Sequence, residues 1–205
     1  MANLKLHRFA LSGHSHRAQL FLSLLGLPVE LVEVAVPRGE HKQAPFLELN
    51  LFGQVPVLLD GTDVIADSNA ILIYLAEKYD LEHRFYPADP LGRAHVQRWL
   101  SVAAGQLHAG PNSARLAKLF KAPLDHAAAE KKSHDLFALL ERELSARPFL
   151  VGERATLADI ALYTYTAHAP EGGISLEKYQ AIRAWLARIE ALPGFVGMVR
   201  SQECA

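Results

Sequence analysis

Within its first 36 residues the chain passes from an alternating apolar stretch, through a stripe with helical spacing, to a second alternating stretch. Leu4 to Phe9 reads as a short strand, and Ser12-Gly13 is a turn signal. From His14 to Leu25, the residues Ala18, Phe21, Leu22 and Leu25 fall at i, i+3, i+4 and i+7, one face of a helix. Gly26 is a C-cap candidate, and Pro28 follows it. Val29 to Val36 alternates again and is rich in β-branched residues. Strand, helix and strand in so short a span imply a βαβ unit, a parallel pair joined by a right-handed crossover.

The pattern continues for one more round and then stops. His41 to Asn50 reads as a short irregular helix. Val55–Leu59 and Val64-Ile65 flank Asp60-Gly61, a hairpin signal. Asp67 to Tyr79 is helical again, with a stripe of Ala70, Ile71, Tyr74 and Leu75. The first 80 residues therefore read β-α-β-α-β-β-α. The stretch DLEHRFYPADP carries two prolines and mixed charge and reads as a linker. Beyond it everything looks helical. Val96, Trp99, Leu100, Ala103 and Leu107 form one stripe; Leu136, Leu139, Leu140 and Leu144 form another. Thr156–Tyr165 and Tyr179–Ala191 are further helices, while Gly105, Gly110 and Pro111 are expected to bend or break the first long one. The expected organisation is an α/β domain over residues 1–80, a linker over 81–88 and an all-α domain over 89–205.

Composition narrows the class. Half of the 205 residues are hydrophobic and 21% are charged, as in a globular protein with a real core. A net charge of −1 gives no electrostatic reason to expect nucleic acid or an anionic membrane as partner. No apolar run reaches the roughly 18 residues of a membrane span, and MANLKLHRFAL lacks the basic-then-apolar order of a leader. Cys204 is the single cysteine, which rules out an internal disulfide and a Cys-based zinc site. The expectation is a cytoplasmic protein.

Three short stretches carry possible chemistry. Pro56 stands at the head of a strand, where a residue without an N–H is tolerated; a cis Val55–Pro56 bond would instead turn the Val55 backbone outward, to pair with an extended peptide-like ligand. Asp67 and Ser68 are good N-cap types. The same pair suits a zwitterion, with Asp67 on an ammonium and the helix N-terminus at Ser68 on a carboxylate. Ser12 and Ser15 are also cap candidates; alternatively Ser12 donates its hydroxyl to a thiolate at a helix N-terminus. A free thiol has a pKa of about 8.5, and lowering it by two units takes roughly 2.7 kcal/mol. A hydroxyl bond and a helix dipole are of that order. His14 and His16 add positive charge when protonated, but lie two apart on a helix and do not share a face. His108, His126, His134 and His168 show no ligand spacing either, so no metal is expected. Ser12 lacks the G-x-S-x-G context of a serine hydrolase.

The stretch FGQVPVLLDGTDVIADSNAILIYLAEKY closely resembles the glutathione-site segment of the soluble glutathione transferase family. The resemblance implies a cis Pro56, pairing of Val55 with the cysteinyl backbone of glutathione, and a γ-glutamyl end held by Asp67 and Ser68. PRGEHKQAPFLELN resembles the family's second-helix region, which implies His41 or Lys42 near the glycyl carboxylate and Gln54 near the ligand backbone. SGHSHRAQLFLSLLGL resembles the first-helix start of the theta, phi and zeta classes. Ser12, five residues before Arg17, then falls in the slot of the activating serine, with Ser15 its rival and His14 a further candidate. In beta and omega classes that slot holds a cysteine; its absence here weighs against a mixed-disulfide reductase. TLADI resembles the family's capping box in the second domain, and its spacing is that of a capping box in general. The implied fold is a thioredoxin-like domain followed by an all-α domain. The implied acceptor pocket lies between the first helix and the start of the helical domain, with His14, Gln106, His108, Asn112 and Arg115 as candidate wall residues beside Leu107 and Leu116.

The first expectation is thus an enzyme that binds reduced glutathione as co-substrate, stabilises its thiolate with Ser12 and presents it to a small electrophile. It needs no metal and no nucleotide, and works as a homodimer. Two alternatives use the same fold: a non-catalytic ligand-binding or regulatory protein, and a glutathione-dependent disulfide or peroxide reductase or isomerase.

Overall fold

The computed structural model describes residues 4–201, so Cys204 lies outside the described residues. The chain forms two compact units. The first takes the chain up to Glu82 together with Pro193–Val199; the second takes His83–Leu192 together with the chain from Arg200.

The first unit is built on a four-stranded mixed sheet of order β2-β1-β3-β4. Its elements are β1 (Leu4–Arg8), α1 (Gly13–Leu24), β2 (Val29–Glu33), α2 (Ala44–Leu49), β3 (Val57–Asp60), β4 (Asp63–Ala66) and α3 (Ser68–Tyr79). β1 runs parallel to β2, with Leu6 opposite Leu31, and antiparallel to β3, with Leu6 opposite Leu58. β3 and β4 form the expected hairpin, with Asp60 opposite Asp63 and Gly61 at φ +61 in the turn. β2 stops at Glu33, short of the expected Val36, and Val36–Arg38 is a 3-10 turn around Pro37. A second 3-10 turn, Glu40–Lys42, leads into α2. Val57 faces Phe46 of α2 in a cluster with Val34.

Two helices depart from their sequence stripes. In α1 the expected Ala18, Phe21 and Leu22 are fully buried, but so are Leu20 and Leu24 on the opposite side, and Leu25 is only half-buried. The second cover is the returning segment 193–199: Ser23 Oγ donates to the Gly194 carbonyl at 2.6 Å, and His16 Nε2 lies 2.8 Å from the Val196 carbonyl. A Cβ on Gly194 would meet the Ser23 carbonyl at 2.7 Å. In α3 the buried face is Ile71, Leu72, Leu75 and Ala76, and Ala70 is exposed. Tyr74 turns to the rim instead, where Tyr74, Tyr79 and Lys78 all donate to Asp60 Oδ2, at 2.9, 2.5 and 2.7 Å. Burial alone would raise the Asp60 carboxyl; the bonds from Lys78, Tyr79 and Tyr74 outweigh it and hold the group below the usual carboxylate range.

The second unit is helical: α4 (Pro90–Val102), α5 (Ser113–Leu119), α6 (His126–Ala146), α7 (Leu157–Ala167) and α8 (Gln180–Glu190). α4 does not break at Gly105, Gly110 or Pro111. It widens into a π-helical segment, Ala103–Asn112, that runs directly into α5. Gly110 is needed there, since a Cβ would lie 3.0 Å from the Ser133 nitrogen of α6. The stripe Val96, Trp99, Leu100, Ala103 and Leu107 is buried as expected; in α6, Leu139 is 50% exposed and Phe137 takes the inward place. The Thr156–Asp159 capping box is formed at the start of α7. The wholly buried Asp159 carboxylate also accepts from Leu150 N and Trp185 Nε1, both at 2.9 Å. From α6, Glu141 caps α8 by accepting from Ala181 N and Ile182 N.

Candidate functional site

Strand register gathers the three candidate stretches of the first unit at one end of the sheet. His7 near the end of β1 lies opposite Val57 at the start of β3, and Val57 lies opposite Ala66 at the end of β4. The turn holding Ser12, the Val55–Pro56 approach to β3 and the Asp67–Ser68 entry to α3 therefore share that edge.

Ser12 is the N-cap of α1, in extended conformation, and its Oγ accepts from Ser15 N at 3.3 Å. A hydroxyl that accepts on a lone pair still has its own hydrogen to donate, so capping and donation to a ligand are compatible. Ser15 is different. It is 1% exposed and its Oγ accepts from Phe9 N at 3.2 Å. It staples the turn from inside. His14 is half-buried with Nδ1 3.4 Å from Ser68 Oγ, whereas His16 is buried against Val196. The two histidines point to different neighbours, as their spacing implies. Among the described residues no group of three or more His, Cys, Asp and Glu side chains could hold a metal ion.

The Val55–Pro56 peptide is cis. Val55 precedes the β3 ladder, which begins at Val57, so its peptide groups lie outside the strand register. Two residues that the sequence reading passed over shape this approach. Asn50, 7% exposed, accepts from Phe52 N through Oδ1 and donates through Nδ2 to the Gln54 carbonyl. Gly53 has φ +55, and a Cβ there would meet the His41 carbonyl at 2.6 Å. A glycine three residues after an asparagine, just before a strand-heading proline, is the available signal. Lys42 Nζ donates to the Phe52 carbonyl at 2.9 Å, while the Gln54 side chain is exposed. The His41 imidazole is held below its ordinary pKa, first by burial and then by the charge of Lys42.

Asp67 caps α3 with one oxygen, Oδ1, which accepts from Asn69 N at 2.8 Å and Ala70 N at 3.0 Å. Its backbone sits at φ +75, a region that costs a non-glycine residue about 1–3 kcal/mol. Ser68, 3% exposed, accepts from Arg17 Nη1 at 2.8 Å, and the same nitrogen donates to Asn69 Oδ1 at 2.8 Å. Arg17, buried in α1, thus ties the start of α1 to the start of α3.

The acceptor-wall candidates of the second unit divide. Gln106 and His108 are exposed; Asn112 is buried and its Nδ2 lies 2.9 Å from His108 Nδ1. Arg115 is corrected outright: it is 1% exposed and its Nε pairs with Glu171 Oε2 at 2.5 Å. Glu171 also holds Ser201 N and lies 3.3 Å from His168 Nδ1. The Arg115 charge is engaged inside the helical unit, not displayed to an acidic substrate.

A mixed sheet with this strand order, a cis proline at the head of β3 and a following helical unit define a thioredoxin-like domain followed by an all-α unit. Comparison with known proteins narrows that class. The N-terminal domain model of glutathione S-transferase matches residues 11–78, and the C-terminal domain model matches residues 116–193. The chain is 35% identical to glutathione S-transferase 3 of Zea mays, over 95% of this chain and 92% of the relative. It is 32% identical to glutathione S-transferase theta-2 of Homo sapiens, over 93% and 82%. A glutathione S-transferase structure from Pseudomonas fluorescens superposes with a TM-score of 0.89 at 32% identity, over 96% of this chain and 99% of that one. A glutathione transferase of Phanerochaete chrysosporium, solved with oxidized glutathione, superposes at 0.85 and 26% identity, over 95% and 92%. The chain belongs to the glutathione S-transferase family.

Proposed function

We propose that this glutathione transferase binds reduced glutathione along the Val55–Pro56 edge and activates its thiol with the Ser12 hydroxyl. The γ-glutamyl end meets Asp67 through its ammonium and Ser68 with the α3 N-terminus through its α-carboxylate. His41, Lys42 and Gln54 serve the glycyl end and the ligand backbone. The thiol proton leaves to solvent, and the thiolate sulfur accepts the Ser12 hydrogen at the N-terminus of α1, whose dipole favours negative charge. The sulfur then forms a bond to an electrophilic carbon; a leaving group departs with its electron pair, or in an addition the neighbouring atom takes up a proton. The rate comes from thiolate fraction, proximity and orientation. Within the helical unit, Gln106 and His108 are the exposed candidates for contact with the acceptor.

The observation that carries this reading is Ser12 itself: it caps α1 with a lone pair and keeps its hydrogen for a ligand. The test is ultraviolet difference titration of bound glutathione against pH, with wild type and Ser12→Ala in parallel. A thiolate pKa well below about 8.5, rising toward it in the variant, supports the assignment. Binding with an unshifted pKa makes the protein a carrier and overturns it.

The family points to a homodimer, and the adjacent Leu51 and Phe52, 77% and 69% exposed, are apolar surface that a second copy would cover. Sedimentation equilibrium tests this. Among the described residues no helix is long and apolar enough to cross a membrane; a cytoplasmic location is part of the proposal.

A further inference from the structure

We propose that Glu33, the last residue of β2, is a positioning residue that pins the turn carrying Ser12 and so fixes where the Ser12 hydroxyl stands for a bound thiolate. The inference rests on the Ser12 reading proposed above. It begins with the backbone of the turn from Phe9 to Ser12. Ser12 N donates to the Phe9 carbonyl at 2.9 Å and closes the turn. Phe9 N donates to Ser15 Oγ at 3.2 Å. Ala10 is one of the two central residues, and the closing bond makes no use of its N–H. That N–H donates instead to Glu33 Oε1 at 2.7 Å, 23 residues along the chain. The bond is short and its acceptor is a carboxylate; hydrogen bonds to an ionised partner are roughly twice as strong as neutral ones. The first two bonds tie the turn to itself and to α1, whereas this one ties it to the sheet.

Glu33 is itself held in place. In the parallel register it lies opposite Arg8. Arg8 Nε stands 3.4 Å from Glu33 Oε2, and Arg8 Nη1 donates to Gln19 Oε1 on the second turn of α1 at 2.8 Å. One carboxylate oxygen thus serves the turn and the other serves a cation that reaches on to α1. Val34 N, next after Glu33, donates to the Arg8 carbonyl at 2.7 Å and anchors the stem of the turn to the same strand end. Ser12 Oγ caps α1 through Ser15 N, so a pivot of the turn moves cap and hydroxyl together. A misplacement of about 1 Å at a reacting group can cost roughly a hundredfold in rate. Glu33 bonds the turn at Ala10, two residues before Ser12, and acts through placement. Its charge works the other way: a nearby carboxylate disfavours a thiolate and raises its pKa. Placement and bare charge therefore predict opposite signs when the carboxylate is removed.

The experiment is ultraviolet difference titration of bound glutathione against pH, on wild type, Glu33→Ala, Glu33→Gln, Ser12→Ala and the Ser12→Ala, Glu33→Ala double variant. In Glu33→Ala the bound-thiolate pKa should rise by about half a unit to one unit, a roughly three- to tenfold loss of thiolate below it. Glu33→Gln keeps an oxygen for Ala10 N without the charge, and should hold the wild-type value or fall slightly below it. In the Ser12→Ala background, Glu33→Ala should add little. The glutathione dissociation constant, read by calorimetry at about pH 5 where the thiol stays protonated, should change by less than about twofold, because Val55, Asp67 and Ser68 lie on other segments. A fall in pKa in both Glu33 variants makes Glu33 a bystander charge and overturns the proposal. So does an unchanged pKa in Glu33→Ala, an equal rise in Glu33→Gln, or full additivity with Ser12→Ala. A second measurement uses wild type alone: the Ala10 amide, outside every strand and helix, should exchange slowly with solvent, and free exchange overturns the proposal. If wild type binds no glutathione, or if Ser12→Ala leaves the bound pKa unmoved, the site reading itself fails. If Ser12→Ala raises the pKa and Glu33→Ala does not, only this inference fails.

Discussion

Replacing Asp159 by alanine should nearly unfold the helical unit. The carboxylate is wholly buried and accepts four bonds: Leu150 N at 2.9 Å, Thr156 N at 2.8 Å, Thr156 Oγ1 at 3.0 Å and Trp185 Nε1 at 2.9 Å. These tie the loop before α7, the α7 N-terminus and α8 to one point. Burial pushes the carboxyl above its ordinary pKa, against the pull of the Leu150, Thr156 and Trp185 bonds, so desolvation offsets part of what the bonds contribute. Asp159→Ala removes the acceptor and leaves the buried donors unmatched, each worth about 1–3 kcal/mol. The net loss is set at about 4 kcal/mol, a large share of the 5–15 kcal/mol typical of a domain. Asp159→Asn keeps one oxygen but turns an NH2 toward Thr156 N, and should cost about half as much. Thr156→Ala keeps the carboxylate's other bonds and should cost about 1 kcal/mol, as for a lost cap. The assay is urea unfolding followed by tryptophan fluorescence at fixed protein concentration. Trp99 and Trp185 are the only tryptophans and both lie in the helical unit, so the signal reports that unit. A loss below about 1 kcal/mol for Asp159→Ala, or equal losses for all three variants, would refute the reasoning that the carboxylate organises this unit.

Two further outcomes concern the first unit. The Asp60 carboxyl sits below its ordinary value of 3.8, so its contribution to stability is present above that pH and is lost as pH falls through the lowered folded value; in Asp60→Asn the acid limb of the unit-one stability curve should flatten, as read by hydrogen exchange of β1 and β3 amides against pH. Gly53→Ala forces a Cβ to 2.6 Å from the His41 carbonyl at a positive φ, and should raise KM for glutathione with kcat little changed, because Ser12 lies on another loop; an unchanged KM would show that the 50–54 loop does not shape the binding edge.

Much of this protein was legible in local sequence. Strand and helix periods gave the β-α-β-α-β-β-α order and the helical second half, because burying one face of an element imposes its period on the apolar residues. Ser12, Asp67 and Thr156 announced helix starts because capping is chemistry between near neighbours. The Asp60-Gly61 turn was readable for the same reason. Pairings across distance were not. Ser15 and Ser12 look alike in the sequence, and only the fold buries one against Phe9 N and leaves the other as the cap of α1. Arg115 reads as a surface arginine until its partner Glu171, 56 residues on, is placed beside it. The second cover on α1 comes from residues 193–199, which no pattern in α1 announces. The sequence by itself determined the elements and their caps, which depend on residues a few positions apart. The tertiary structure alone decided which polar groups are buried against a partner and which stay exposed, because that depends on partners that folding brings together from far along the chain.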